Sequence, residues 1–398
     1  YAMLKRSVYC LVLFFLWPIG GYAQDPDTTD IFEMSVEDLL HLKIESGGKE
    51  EESVANIPAS VVIITQKEIE KQGFRTLEEI LCHVPGMYMV NDYLWFGSDN
   101  YGVRGFFTAG AFGNMVVMVN GILQKEDWYN SFPLTKVNVP VEAIDRIEII
   151  RGPMSVAYGS NAFLGSVNII TNNAENDNKV SAAGGTGGRY KAFTKFAGSS
   201  SDFNYSLSAS FFGSEGIDIA YADMMQRPDD PQRGLRAWNL APDARTKGQL
   251  EDHRAFLSTS LAFKGFYFES SNTFTARGVI DFYPGHADGH LAEIQSSNAV
   301  FGYKSDIRHH SRLNIQLGHY SFRNRLDYKH DSDTAGYTFN DIYSDAADIQ
   351  INYGFEPNSL FKVEAGLYYR YIYRDKLIVD APNLSRDYIN LEAGLNRN

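Results

Sequence analysis

Residues 361–373 read FKVEAGLYYRYIY, and the alternation in this stretch decides the fold. Successive side chains of a strand point to opposite faces, so Phe361, Val363, Ala365, Leu367, Tyr369, Tyr371 and Tyr373 share one side. Lys362, Glu364 and Arg370 fall on the other. An aromatic-rich apolar face opposite a wet one suits a strand between lipid and an aqueous lumen. The same period runs through FNYSLSASF at 203–211, and through Leu313, Ile315 and Leu317 with Asn314 and Gln316 between them.

Outward from these stretches, strands are predicted near 178–187, 189–199, 203–213, 250–263, 266–277, 295–306, 312–325, 340–353, 360–374 and 386–396. Connections at 200–202, 264–265, 307–311 and 354–359 are short, whereas those at 214–249, 278–294, 326–339 and 375–385 are long. Short turns alternating with long loops are the habit of a membrane barrel. A soluble sandwich also alternates apolar and polar residues, but gives no reason for a long loop at every second connection. No segment after the first residues offers 18 consecutive apolar residues, so any crossing of a membrane must use strands. Residues 173–398 are therefore read as part of an all-β antiparallel transmembrane β-barrel.

The N-terminal side has a different texture. Lys5 and Arg6, the apolar run Val8–Trp17 and the small-x-small Gly21-Tyr22-Ala23 form a secretory signal at residues 3–23. Its removal takes two basic side chains and moves the formal charge from −13 to −15. So acidic a chain argues against a nucleic-acid partner. Cys82 is then the remaining cysteine in this sequence, and its apolar helical setting predicts a buried, structural thiol. Residues 24–52 are polar and read as a flexible segment.

Residues 53–172 read as a compact α+β domain of 120 residues. Val61–Ile64 is predicted as a buried strand. Thr65-x-x-Glu68 and Thr76-x-x-Glu79 are two capping boxes, with Gly73 and Pro85-Gly86 as helix stops. Met115–Val119, then Asn120-Gly121, then Ile122-Leu123 is a two-residue hairpin signal. Ile144–Arg151 and Gly165–Ile170 are further strands, and Gly159 and Gly165 mark turns or close backbone approaches.

Several blocks of this domain occur together in order: NIPASVVIITQKEIEKQGFRTLEEILCHVPGM at 56–87, VRGF at 103–106, VVMVNGI at 116–122, and VEAIDRIEIIRGPMSVAYGSNAFLGSVNIIT at 141–171. In these blocks the chain resembles the TonB-dependent outer-membrane receptors: signal peptide, plug domain, then barrel. The resemblance implies an outer-membrane importer whose partners are a TonB-type periplasmic energy-coupling protein, outer-membrane lipid and a bulky ligand. A ferric siderophore or other metal chelate leads, with cobalamin, haem or saccharide as alternatives. It also implies that Arg104 and Arg151 lock the plug to acidic groups on the barrel wall. A TonB-contact segment is expected near the mature N-terminus. The extended stretch Leu42, Lys43, Ile44, Glu45 and Ser46 is the candidate for strand addition, although a solvated linker reads equally well. The plug loops Asn91–Tyr101 and Lys125–Phe132 carry Tyr93, Trp95, Phe96, Trp128 and Tyr129, which either contact a ligand or pack on the wall.

A folded domain of this size demands a large barrel, so about 10 of ~22 strands, and all but roughly 270 residues, are expected within this sequence. No catalytic motif is present: there is no His-Glu-x-x-His, Cys-x-x-Cys, P-loop or nucleophile elbow. His286-x-Asp288-x-His290 and Asp229-Asp230 read as solvated loops. Neither an enzyme nor a cofactor is expected. A passive porin and a secreted β-rich adhesin are the competing readings, the first disfavoured by the domain that would fill its lumen.

Overall fold

The computed structural model describes residues 43–44, 52–53, 57, 59–90, 100–108, 114–125, 127, 137–158, 161–171, 178–224, 240–279, 290–308, 310–329, 337–358 and 361–380. The signal segment, Leu42, Glu45, Ser46, Tyr93, Trp95, Phe96, Trp128, Tyr129 and the strand expected at 386–396 lie outside the described residues.

A short antiparallel pair, β1 (Lys43–Ile44) and β2 (Glu52–Ser53), comes first. The front domain follows as β3 (Ser60–Thr65), α1 (Gln66–Gln72), α2 (Leu77–Cys82), β4 (Met87–Val90), β5 (Asn100–Val103), β6 (Phe106–Thr108), β7 (Met115–Val119), β8 (Ile122–Gln124), β9 (Arg146–Arg151), α3 (Ser155–Tyr158) and β10 (Gly165–Ile170). Its main sheet has five strands in the order β3-β9-β10-β7-β8, with β10 and β7 parallel and the other pairs antiparallel. Strands β7 and β10 are buried along their whole length, which explains their near-continuous apolar sequence. The stretch at 61–64, expected to be buried, is only half-buried, because β3 is the edge strand and pairs with β9 alone.

Helix α1 has the full expected capping box: the Thr65 hydroxyl accepts from the Glu68 N–H while the Glu68 carboxylate accepts from the Thr65 N–H. Gly73 closes it in the left-handed conformation. At α2 the box is only half made. Thr76 accepts from the Glu79 N–H, but the Glu79 carboxylate turns to Arg75, accepting from its N–H at 2.8 Å and its guanidinium at 2.7 Å. Those bonds hold the Glu79 carboxyl below its ordinary range, outweighing a burial effect of opposite sign. The face of α2 that packs inward is Leu77, Ile80 and Leu81. Cys82 therefore points out and is exposed, contrary to the expectation of a buried thiol.

Asn120 and Gly121 both have positive φ, 52° and 74°, as a two-residue type I′ hairpin turn between β7 and β8 requires. Arg104, next to Gly105 in the β5–β6 turn, also sits in the left-handed region at φ 51°, and its side chain is exposed. Tyr101, which ends the loop proposed for ligand contact, is instead a fully buried residue of β5. Its hydroxyl accepts from the Asn114 N–H at 3.2 Å, and burial pushes the phenol pKa up.

Nine antiparallel strands succeed the front domain, each paired with its sequence neighbours: β11 (Lys179–Gly185), β12 (Arg189–Ser199), β13 (Phe203–Ser214), β14 (Asp252–Phe263), β15 (Phe266–Val279), β16 (His290–Arg308), β17 (Ser311–Lys329), β18 (Tyr337–Asn358) and β19 (Phe361–Asp380). From β12 on, the breaks after β12, β14, β16 and β18 are short and fall at one end of this sheet, while those after β13, β15 and β17 are longer and fall at the other. The strands lengthen along the chain, from 7 residues in β11 to 22 in β18. A strand needs about 9–11 residues to cross a bilayer, so the later strands run well past it. For that reason the connections expected at 278–294 and 326–339 are shorter than predicted, and the last described strand continues to Asp380. Ladder hydrogen bonds continue through polar pairs such as Arg325 opposite Asp341, where apolar alternation has stopped.

The two faces of this sheet separate cleanly. One carries Leu313, Ile315 and Leu317 on β17, then Phe355, Tyr353, Ile351 and Ile349 beside them on β18, then Val363, Leu367, Tyr369 and Tyr371 on β19. Leu317, Leu367 and Tyr369 are 55%, 62% and 62% exposed, a contiguous apolar surface that water would not tolerate. Phe203, Phe263, Phe266 and Phe361, at the ends of the short turns, are exposed too and form an aromatic belt. The opposite face is covered from β12 to β17, where Phe193, Phe256, Ile294 and Phe322 pack into the main core of the front domain, whereas Tyr368 and Ile372 of β19 are exposed on it.

Tyr373 does not continue the stripe as a regular strand residue. A bulge pairs Asp345 with Arg374 and Ala346 with Ile372, leaving Tyr373 as the extra residue. Its hydroxyl meets His319 Nε2 at 2.7 Å.

Candidate functional site

The hairpin β7–β8 delivers the chain to Lys125 and Asp127, at the start of the loop expected to face a ligand. Asp127 is anchored to the barrel wall through Ser344 and Arg370. Its N–H donates to Ser344 Oγ at 3.0 Å, and that hydroxyl donates to Asp127 Oδ2 at 3.2 Å. Arg370 of β19 grips the carboxylate with both edges of its fork, Nε to Oδ1 at 3.0 Å and Nη2 to Oδ2 at 2.6 Å. The two side chains are only 2% and 7% exposed.

Arg370 is held in turn. Its Nη1 lies 3.4 Å from Asp348 Oδ2, and its plane sits over the Tyr320 ring at 4.6 Å. Tyr320 and Tyr368 donate to the two oxygens of Asp348 at 3.4 and 3.2 Å. Lys125 approaches Asp127 at 3.6 Å. Two carboxylates thus share one guanidinium, with two phenols and a hydroxyl completing their hydrogen bonds. A buried bidentate pair of this kind fixes geometry more than it adds net stability.

Neighbouring contacts extend the seam. Asn298 donates to Gln124 Oε1 at 2.5 Å, and Ile122 packs on Val300 and Tyr320. Asn120 donates to Glu269 Oε2 at 3.2 Å while accepting from the Thr171 N–H at 2.7 Å. Lys191 pairs with Glu142 at 2.6 Å and Lys179 with Glu70 at 2.7 Å. Beyond this seam a cavity of about 920 Å³ opens between α2 and the long-loop ends of β11 to β15, with Cys82, Arg189, Lys191 and Arg254 among its lining.

The structure places the expected residues unevenly. Arg151 is engaged inside the front domain, where it donates to the Pro85 carbonyl and, at 2.7 Å, to Ser60 Oγ. Arg104 is exposed on its turn, its backbone N–H donating to Gly86 O at 2.8 Å. Neither meets an acidic group of the described wall. The charge order found at the seam is the reverse of the one expected, with the acid on the front domain and the arginine on the wall. Arg370 was legible as a polar-face residue of its strand, and Asp127 lay inside the expected loop. That the two meet, 243 positions apart, is a property of the fold.

Comparison with known proteins accords with this architecture. Residues 53–166 match the TonB-dependent Receptor Plug Domain family. The vitamin B12 transporter BtuB of Photobacterium profundum is 27% identical over 228 residues, covering 56% of this chain and 34% of the relative. The iron-regulated outer membrane virulence protein of Vibrio cholerae is 30% identical over 134 residues, covering 30% of this chain and 18% of the relative. Among solved structures, the ferric yersiniabactin uptake receptor FyuA from Yersinia pestis superposes with a TM-score of 0.60 at 14% identity, over 83% of this chain and 51% of that one. The pyoverdine receptor FpvA from Pseudomonas aeruginosa gives 0.62 at 12% identity, over 88% and 51%. At those identities the likeness is one of fold. The chain spans about a third of the length of its B12-transporter relatives and half that of the solved receptors. With a plug domain followed by antiparallel strands of a transmembrane β-barrel, the chain belongs to the TonB-dependent receptor family.

Proposed function

We propose that the protein is an outer-membrane active importer: it binds a scarce bulky ligand and takes it up by TonB-coupled remodelling of the plug. The observation that carries this reading is the plug's position. It packs on the covered face of the sheet through both apolar side chains and the Asp127–Arg370 seam. A solute moving along that face must displace or reshape the plug, which requires work and disfavours a passive porin. The exposed apolar stripe on the other face disfavours a secreted adhesin.

A ferric siderophore or other metal chelate is the proposed cargo class, supported by the names of the similar solved receptors, with cobalamin the alternative suggested by the BtuB relatives. Arg104 is the better of the two expected locking arginines, since Arg151 already serves the plug's interior. For coupling, residues 42–46 remain the candidate. Lys43 and Ile44 already pair with Ser53 and Glu52, so strand addition would use their other edge or displace that two-residue ladder.

The test is growth on a single ferric chelate or on cobalamin as the limiting source, with and without the gene. One source is expected to support growth only when the gene is present. Deleting residues 42–46 is expected to abolish that growth while surface binding of the labelled ligand stays within about twofold of wild type. Growth unaffected by loss of the gene on every source would reject the importer.

A further inference from the structure

The outward face of β17 to β19 changes character at one rung. His319, Ala347 and Tyr371 end the apolar band, and Ser321, Asp345 and Arg374 begin the next row. The bulge at Tyr373 is what brings Arg374 to this side, since uninterrupted alternation would have turned it toward the plug.

Just beyond that rung the charges are layered. Asp341 accepts from Arg323 twice, at 2.8 and 2.5 Å, and from the Tyr343 hydroxyl at 2.9 Å. Asp345 accepts from Arg374 Nε. Arg323 and Arg374 both lie over the Tyr343 ring, 5.0 and 4.9 Å from its centroid. The carboxylates are nearly hidden, at 5% and 6% side-chain exposure, whereas the two arginines are 30% and 47% exposed. Within these four side chains formal charge balances, Glu293 of β16 also acts on Arg323, and the two arginines are the more exposed members.

We infer that this Arg–Tyr–Arg cluster is a docking site for a phosphomonoester-bearing lipid headgroup of the leaflet that surrounds the long-loop end of the barrel. This rests on the reading of the strands as membrane-spanning. Three observations support the choice of occupant. The cluster sits directly above the apolar band, at the depth where headgroup phosphates lie. Each guanidinium is pinned by an aspartate along one edge and braced on a ring, so little side-chain freedom is lost when the remaining N–H groups are taken. Planar forks pair bidentately with phosphate oxygens, and a phosphomonoester offers them more free oxygens and more charge than a phosphodiester capped by a cation.

The experiment uses the full-length receptor purified in a neutral detergent. Phosphatidic acid, phosphatidylcholine or inorganic phosphate is added, and the unfolding temperature is read. Phosphatidic acid is expected to raise it saturably, with apparent affinity at least fivefold weaker in R323Q/R374Q. An R312Q variant, at the short-turn end, should match wild type. A wild-type receptor that responds equally to phosphatidic acid and phosphatidylcholine overturns the proposal without recourse to any variant. An equal response to inorganic phosphate overturns the lipid assignment. Heat-modifiable gel mobility of each variant separates these outcomes from failure of the barrel reading: a soluble, unshifted protein would reject the membrane fold itself.

Discussion

Asp127→Asn is expected to loosen the plug and make the resting receptor leaky. The substitution leaves Arg370 buried at 7% exposure with Asp348 as its nearest remaining acid, at 3.4 Å. Removing one partner of a buried ion pair costs about 3–5 kcal/mol, and the residual Asp348 contact places this case near the lower end. The measurement is sensitivity of cells to a large hydrophilic antibiotic that the intact outer membrane excludes, together with protease nicking of the plug. Arg370→Gln should give the same phenotype. The double variant D127N/R370Q should be milder than the sum of the singles, because it leaves neither charge stranded. If both single variants exclude the antibiotic and protease as wild type does, the seam does not hold the plug.

Gly165→Ala is expected to be the most damaging single methyl in the plug. Gly165 has φ 144°, and a Cβ there would lie 1.9 Å from the Ile150 carbonyl oxygen on the neighbouring strand β9. The obstacle is backbone in the middle of the sheet, not the flexible end of a side chain, so relief requires β9 and β10 to part. Loss on the order of 4 kcal/mol or more follows from combined overpacking and backbone strain. Gly73→Ala is the matched control: its φ is also positive, at 70°, but nothing lies within 4 Å of the added carbon. There the cost should be about 1–2 kcal/mol, the left-handed penalty alone. Limited proteolysis of outer-membrane fractions should show a digestible plug inside a heat-modifiable barrel for G165A, and a resistant plug for G73A. Equal resistance in the two variants would mean that the Ile150 carbonyl is not the constraint.

Local rules carried the front domain a long way. The Thr65 cap, the Gly73 stop and the Asn120-Gly121 turn each depend on a few adjacent residues, and each was legible as such. The half-made cap at α2 was not, because Arg75 competes for the Glu79 carboxylate and capping patterns do not weigh such a rival. Cys82 was misjudged for a similar reason. An apolar helix pattern says which residues are near the core, but the helix phase decides that Leu81 turns in and Cys82 turns out.

Period-2 alternation in strands such as 361–373 determined by itself that this chain builds a two-faced antiparallel sheet for a membrane, since alternation is a property of each strand alone. The ordered blocks of the front domain likewise identified the plug. Tertiary structure decided the rest. It set which charges meet across the seam, where the bulge at Tyr373 reverses the facing of Arg374, and how far the strands continue beyond the apolar band. Each of these depends on the register between segments far apart in the chain, and register is fixed by the sum of many pairings rather than by any one strand.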